Sequence, residues 1–342
     1  MKKVHITAAS GTSQVILGGS MGMLQSFTDA KRTVIITDRN VHQHHGHGFP
    51  QTELIIIEPG EDAKTLDSAR AIYERFVELE LDRGALVVGI GGGVVTDLTG
   101  FAAATFLRGV KFGFVATTLL AQVDASIGGK NGVNLNHYKN MVGTFAQPAF
   151  VLLDYDLLGT LPVVELRSGL AEVVKAAAIG DGELFELLER RRDEILALDR
   201  QAIGMMVEAA VAVKARIVNE DERESSTRRL LNLGHTFGHA LERTVGVTHG
   251  EAVSVGMVVA ARISQARGML EARDTERLEA LLTGFGLPTR IAVDGAAVFD
   301  AMKRDKKRDG DEINFVLLEQ LGGAVVEPIG LKDLEQVIHD LC

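Results

Sequence analysis

The chain has almost no cysteine. Cys342 is the only one in 342 residues, so no disulfide can form within the chain, which fits a reducing, cytoplasmic setting. No apolar run approaches the roughly 18 residues of a membrane span. The opening MKKVHITAAS has two lysines but no apolar stretch behind them, so no signal peptide is expected. Positive charge is not in excess either. Lys and Arg number 36 against 46 Asp and Glu, a formal net charge of −10, which argues against nucleic acid or an acidic membrane surface as the main partner. Internal repeats, low-complexity segments and long flexible linkers are absent. What remains is an ordinary globular composition, 46% hydrophobic and 24% charged, long enough for two domains and a large core.

The first part alternates short β-branched runs with helical patterns. Thr33–Thr37, Leu54–Ile57, Ala85–Ile90 and Phe112–Val115 read as strands. Thr65–Asp82 and Val94–Leu107 read as helices. Strand, helix, strand in this order predicts a parallel, Rossmann-like sheet covered by helices. After about Leu161 long helical patterns dominate, over 164–178, 182–197, 199–219, 226–244, 249–270 and 273–284, with strands only at Ile313–Leu318 and Ala324–Glu327. The expectation is an α/β N-terminal domain over 1–160 and a mostly α-helical C-terminal domain over 161–342, with the active site in the cleft between them. The His-dense segment His42–His47 reads as a solvated polar loop.

Three histidines, His235, His239 and His249, fall within 15 residues. His235 and His239 are four apart and share a helix face. The spacing imitates the zinc-protease motif HExxH, but Thr236, Phe237 and Gly238 lie between them, so the glutamate base is missing. Arg228 and Asn232 extend the pattern into one polar face, flanked by Leu230, Leu231, Leu233, Phe237 and Leu241. Glu172 and Lys175 lie three apart on an otherwise apolar helix. They are either a surface ion pair or a carboxylate that joins the histidines on a metal. Gly91-Gly92-Gly93 sits between a strand and a helix, as a phosphate cradle or a tight turn. It is not GxGxxG. Asp97, one turn further, either caps or binds a ligand hydroxyl. Gly128-Gly129-Lys130 makes a plausible oxyanion cradle without Walker A spacing, although a lone lysine there is more often a solvated surface group.

These blocks together closely resemble the 3-dehydroquinate synthase family. The match is carried by Gly91–Asp97, Ala104–Gly109, Thr117–Lys130, Lys139-Asn140, Ala171–Lys175, Leu231–Ala240 and His249-Gly250-Glu251, and runs from about Thr37 to Gly310. The resemblance implies a homodimeric, NAD-dependent enzyme of the shikimate pathway that requires zinc or cobalt. Glu172, His235 and His249 would hold the metal. His239 would instead bond to the substrate and assist proton transfer. Lys214, Arg228 and Asn232 would grip the substrate. Arg108, Lys130, Asn140 and Lys306 would line its phosphate end, with Lys303 and Lys307 competing for the place of Lys306. Asp124 and Lys175 would sit near the reacting carbons. Asp38, Glu61, Lys64, the 91–93 glycines, Asp97, Thr117, Thr118 and Lys139 would hold NAD.

The family reaction oxidises a secondary alcohol, eliminates phosphate, returns the hydride, opens the ring and closes it by an intramolecular aldol step. Converging cations in a net-negative protein suit a substrate with a carboxylate and a phosphate. Ala116 stands where the family usually has proline, Asn131 where threonine is common, and the stretch from Val41 to Leu54 is short; these departures are expected to alter loops rather than chemistry. Three other readings were weighed. One is another sugar phosphate cyclase, such as a 2-epi-5-epi-valiolone synthase, which would differ around the carboxylate grip. Another is a metal-dependent polyol dehydrogenase, which would not need Lys130, Asn140, Lys214 and Arg228 together. The last is a non-catalytic NAD-binding scaffold, which would have lost its metal ligands.

Overall fold

The structure, a computed structural model, describes residues 1–27, 32–136, 138–303, 308–309, 312–332 and 334–335. It divides into two compact units, Met1–Leu166 with Lys214–Arg223, and Arg167–Val213 with Glu224–Cys342.

The first unit holds strands β1 (Lys2–Ala8), β2 (Gly11–Leu17), β3 (Thr33–Asp38), β4 (Glu53–Ile57), β5 (Leu86–Gly91), β6 (Lys111–Ala116), β7 (Lys130–Leu135), β8 (Tyr138–Phe145) and β9 (Phe150–Leu153). Its helices are α1 (Arg39–His45), α2 (Leu66–Glu78) and α3 (Gly93–Thr105). Seven strands form one sheet in the order β1-β2-β9-β6-β5-β3-β4. Every neighbouring pair is parallel except the edge hairpin β1–β2. The central strands are covered on both faces, so they read as continuous apolar runs. Ile35, Val88, Ile90, Val115 and Leu152 join one buried cluster. From β3 the chain steps out to β4, then returns to β5 on the other side of β3. The carboxyl ends of β3 and β5 thus flank a topological switch point, where open parallel sheets lodge ligands.

Four of these strands, β1, β7, β8 and β9, carry no clear sequence signal. β1 is an exposed edge, β9 is only four residues long, and β7–β8 is a separate antiparallel ribbon whose second strand is mostly exposed. The helix expected over Thr65–Asp82 is shorter. It starts where Thr65 Oγ1 accepts the Ser68 amide at 3.1 Å and ends before Glu80, which turns to φ 51°. The expected His42–His47 loop is instead mostly α1. Asp38 caps it by accepting the Val41 amide at 2.9 Å, and a 3₁₀ turn follows over Gly46–Gly48.

The helices that follow are α4 (Val163–Gly180), α5 (Gly182–Arg190), α6 (Arg192–Leu196), α7 (Arg200–Glu220), α8 (His235–Val245), α9 (His249–Ala266), α10 (Ala272–Gly284) and α11 (Gly295–Lys303). A small antiparallel sheet of β10 (Arg308–Asp309), β11 (Glu312–Gln320) and β12 (Gly323–Gly330) completes the second unit. Its core packs Phe237 and Leu241 of α8 with Val255, Val259 and Ile263 of α9, Phe299 of α11 and Phe315 of β11. The final residues of α7, from Lys214, group with the first unit.

One expected helix breaks at an informative place. The pattern over 226–244 is a 3₁₀ turn, Thr227–Asn232, then a corner at Leu233-Gly234, then α8. Arg228 and Asn232 therefore do not share one helical face with His235 and His239. Gly234 has φ 78°, and a Cβ on it would lie 2.6 Å from the Val253 carbonyl oxygen. A Cβ on Gly256 would lie 1.9 Å from the Gly234 carbonyl oxygen. The corner is pressed against α9, and backbone cannot yield as a side chain can. Gly256→Ala is expected to lower unfolding stability by about 1–3 kcal/mol, the usual range for overpacking, read from the denaturant midpoint. An unchanged midpoint would mean that the corner is free to move.

Candidate active site

The second unit contains one cluster whose ligand atoms converge. One atom each from Glu172, His235 and His249 lies within 4.8 Å of the others. Glu172 comes from α4, His235 from the start of α8 and His249 from the start of α9. The first two are placed by apolar packing. Glu172 and Lys175 are only 2% and 3% exposed, between Ala171, Val173, Val174 and Ala176–Ala178. That removes the surface-pair reading of Glu172 and Lys175. The Lys175 ammonium pairs with Glu172 Oε2, while Oε1 lies 3.0 Å from His249 Nε2 and 3.5 Å from His235 Nε2.

Both imidazoles present Nε2 because Nδ1 is engaged. His235 Nδ1 lies 3.1 Å from the Leu233 carbonyl, which the Gly234 corner turns toward it. His249 Nδ1 lies 3.0 Å or less from a carboxylate, at 2.9 Å from Glu242 Oε1. Burial alone would raise the Glu172 carboxyl, but the Lys175 charge and the His249 bond outweigh it and hold it at about 2. Burial alone would also strip the proton from His249. The bonds to Glu172 and Glu242 outweigh that and raise it to about 9. The donor set of one carboxylate oxygen and two Nε2 atoms, each ring oriented through its other nitrogen, fits a divalent metal of the zinc type with open positions.

His239 stands next to this cluster without joining it. Its ring meets His235 edge-on at 5.4 Å between centroids. Asn232 Nδ2 donates to Glu224 Oε1, and Arg228 is buried at 2% exposure. A buried cation and a half-buried amide, close before these histidines in sequence, suit an anionic, hydroxyl-rich ligand.

In the first unit the expected cofactor residues gather around the sheet's switch point. Asp38 ends β3 and Gly91 ends β5. Gly92 occupies the N-cap of α3 with no side-chain cap, leaving that helix terminus to an anion. A Cβ on Gly91 would lie 2.5 Å from Val95, and one on Gly92 2.8 Å from Thr118. Close packing, not turn geometry, therefore demands glycine here. Thr117 follows β6, and its buried hydroxyl has no hydrogen-bond partner among the described residues. Asp97 does not cap α3. Burial raises its carboxyl, and its ion pair with Lys64 opposes that. Lys64 Nζ also donates to Asn140 Oδ1 at 2.5 Å, and Asn134 links Asn140 to Glu61. Lys139 is exposed on β8 beside Asn140. An N-terminus without a side-chain cap, a switch point and an unpartnered threonine hydroxyl fit a dinucleotide such as NAD.

The remaining substrate candidates in this unit are less uniform. Lys214 Nζ donates to Asp124 Oδ1 at 2.5 Å and to the Asp124 carbonyl at 2.6 Å. Asp124 lies in a π-helical segment, Ala121–Ala125, a local irregularity frequent at functional sites. Lys130 is exposed at the start of β7, after Gly128 and Gly129 at φ 98° and 71°. Asn131 secures that loop by donating to the Gly129 and Ala146 carbonyls, each at 3.0 Å. Arg108 is exposed past the C-terminus of α3, about 20 Å of helix from the glycine turn. Lys306 and Lys307 lie outside the described residues, whereas Lys303 pairs with Asp300. Glu242 was missed by sequence reasoning. Its signal was its place on α8, seven residues after His235 and three after His239.

The 3-dehydroquinate synthase N-terminal model matches residues 54–168 and the C-terminal model residues 169–308. The 3-dehydroquinate synthase of Nostoc punctiforme is 42% identical over 312 residues, 86% of each chain. That of Geobacter metallireducens is 45% identical over 287 residues, 83% of this chain and 79% of its own. The solved 2-epi-5-epi-valiolone synthase of Streptomyces hygroscopicus subsp. jinggangensis, with NAD+ and Zn2+ bound, matches with a TM-score of 0.88. It is 26% identical and covers 100% of this chain and 98% of its own.

Two outcomes are expected from the cluster. His249→Ala should lose bound divalent metal by elemental analysis, while His239→Ala keeps it; equal loss in both would place His239 among the ligands. Because His249 holds a proton up to about pH 9, metal uptake at pH 7.5 should release about one proton. Titration calorimetry in buffers of different ionisation heat reads that number, and zero release would contradict the assigned protonation.

Proposed function

The chain belongs to the 3-dehydroquinate synthase family, and we propose that it converts 3-deoxy-D-arabino-heptulosonate 7-phosphate into 3-dehydroquinate and phosphate. The observation that carries this reading is the buried Glu172–His235–His249 cluster, seated within the stretch that matches the family's C-terminal model. The reaction serves the shikimate pathway and aromatic amino acid biosynthesis. Its net outcome is that of a carbon–oxygen lyase, because the hydride taken early is given back.

NAD, when bound, takes and returns a hydride, and a divalent ion, zinc or cobalt, when bound on Glu172, His235 and His249, polarises the reacting oxygens. Asp38, Glu61, Lys64, Gly91, Gly92, Gly93, Asp97, Thr117, Thr118 and Lys139 would hold the dinucleotide, the uncapped start of α3 favouring an anionic group. Lys214, Arg228 and Asn232 bind the carboxylate and hydroxyls of the substrate. Arg108, Lys130, Asn140 and Lys306 bind its phosphate. His239 takes the proton of the hydroxyl to be oxidised, with the face of His235 against its ring. Lys175 and Asp124 act near the carbons where a C–H bond breaks, phosphate leaves and the ring later recloses. The first unit is thus read as the NAD-binding domain and the second as the metal and substrate domain. A cytoplasmic homodimer is the proposed setting. No helix among the described residues is long and apolar enough to cross a membrane.

A different sugar phosphate cyclase is the competing reading, supported by the TM-score of 0.88 to a valiolone synthase. The identity to that structure is 26%, against 42–45% to the synthases of the family. Arg228, Asn232 and His239 all match the family's carboxylate grip. With NAD and Zn2+ or Co2+, the purified protein should release phosphate from the heptulosonate phosphate with no net NADH at 340 nm, a wavelength set by the assay. Turnover of sedoheptulose 7-phosphate in its place would transfer the chain to the competing reading.

A further inference from the structure

We propose that Glu242 is a positioning residue for the metal site, its carboxylate accepting the Nδ1 proton of His249 and so aiming Nε2 at the position faced by Glu172 and His235. This inference rests on the metal reading given above and assigns a role to a residue outside the ligand set.

Two ligand histidines are oriented by different devices. His235 is held by a main-chain carbonyl, that of Leu233, which no substitution of a side chain removes. His249 is held by a side chain instead, its Nδ1 meeting Glu242 Oε1 at 2.9 Å. His249 is the first residue of α9, after a capping box in which Thr248 and Glu251 satisfy each other's backbone. That box fixes the main chain and leaves the ring free to rotate. The His249 side chain is 32% exposed, so packing alone does not restrain it, whereas the Glu242 side chain is 8% exposed. A carboxylate shielded from water holds a hydrogen bond more strongly than one at the surface.

The sequence builds this on a single helix. His235, His239 and Glu242 are at i, i+4 and i+7 on α8, so one face presents a ligand, a proton-transfer candidate and the carboxylate that steers the ligand from α9. Charge points the same way. Once His249 gives up its extra proton to the metal, Glu172 and Glu242 contribute −2 and Lys175 +1, so the cluster sets −1 against the dication. Removing the Glu242 charge leaves it neutral. A carboxylate on the far nitrogen also makes imidazole a better donor to a metal.

The test is metal affinity, measured by competition between a chromogenic chelator and the full-length protein for Zn2+ alone, and by the visible spectrum of the Co2+-loaded protein. Glu242→Ala should weaken Zn2+ binding by about 10–100-fold and shift the Co2+ bands. Glu242→Gln, which keeps an acceptor oxygen of the same reach but no charge, should fall between Glu242→Ala and wild type. NAD affinity and the melting temperature of metal-free Glu242→Gln should match wild type. Wild-type Zn2+ affinity in Glu242→Gln and an unshifted Co2+ spectrum would overturn the inference, even if Glu242→Ala failed to fold. A wild-type protein that loads no metal would instead overturn the metal reading itself, and this inference with it.

Discussion

The second unit depends on a carboxylate held away from water. An isolated ion in the interior costs several kcal/mol even after relaxation, yet Glu172 sits 2% exposed on a helix of alanines and valines. Three groups make that tolerable: the Lys175 ammonium one turn along, and the two imidazoles from α8 and α9. Taking away one partner of such a buried set typically costs about 3–5 kcal/mol, because a bare charge is left behind. The packing of α4, α8 and α9 and the assembly of the ligand set are therefore one requirement. The helices cannot dock correctly without bringing the histidines to Glu172, and Glu172 cannot be buried without them.

That requirement explains the glycines beside it. The corner at Gly234 ends the 3₁₀ turn and starts α8 so that the Leu233 carbonyl meets His235 Nδ1, and Gly256 lets the corner lie against α9. A straight helix through this stretch would carry Arg228, Asn232, His235 and His239 on one face, and would leave His235 Nδ1 without its carbonyl. The break separates tasks. Arg228 and Asn232, before it, are proposed to serve the ligand, and His235, after it, belongs to the cluster.

Much of this was legible from residues and spacing. The alternation of apolar strands with helices implied the parallel sheet, and the trio of Glu172, His235 and His249 was implied by family resemblance. Periodicity alone pointed to the wrong pair, His235 and His239, because i,i+4 spacing reports a shared face and says nothing of which distant helix faces it. The corner at Gly234 was invisible for a related reason. The apolar pattern of Leu230, Leu231, Leu233 and Phe237 continues across it, and only the approach of α9 requires the left-handed turn. Glu242 lies on the His235 and His239 face of α8, but only the approach of α9 with His249 gives that place a meaning. β1 and β8 were missed because they are mostly exposed, β7 because its buried positions include Asn131 and Gly132, and β9 because four residues, all buried, show no alternation.

In the first unit, cations are held ready by acids. Lys64 pairs with Asp97 and Lys214 with Asp124, and both lysines are nearly buried, at 4% and 6% exposure. A buried ammonium without a counter-charge is costly. The acid offsets that cost and holds the lysine in place. It also costs affinity, since an incoming anion must share the cation. A singly charged or misplaced anion gains little from such a bargain, whereas a ligand with a phosphate and a carboxylate at fixed separation engages several cations at once. A chain of net charge −10 thus attracts anions only where its cations converge, and the paired acids sharpen that preference for doubly anionic ligands.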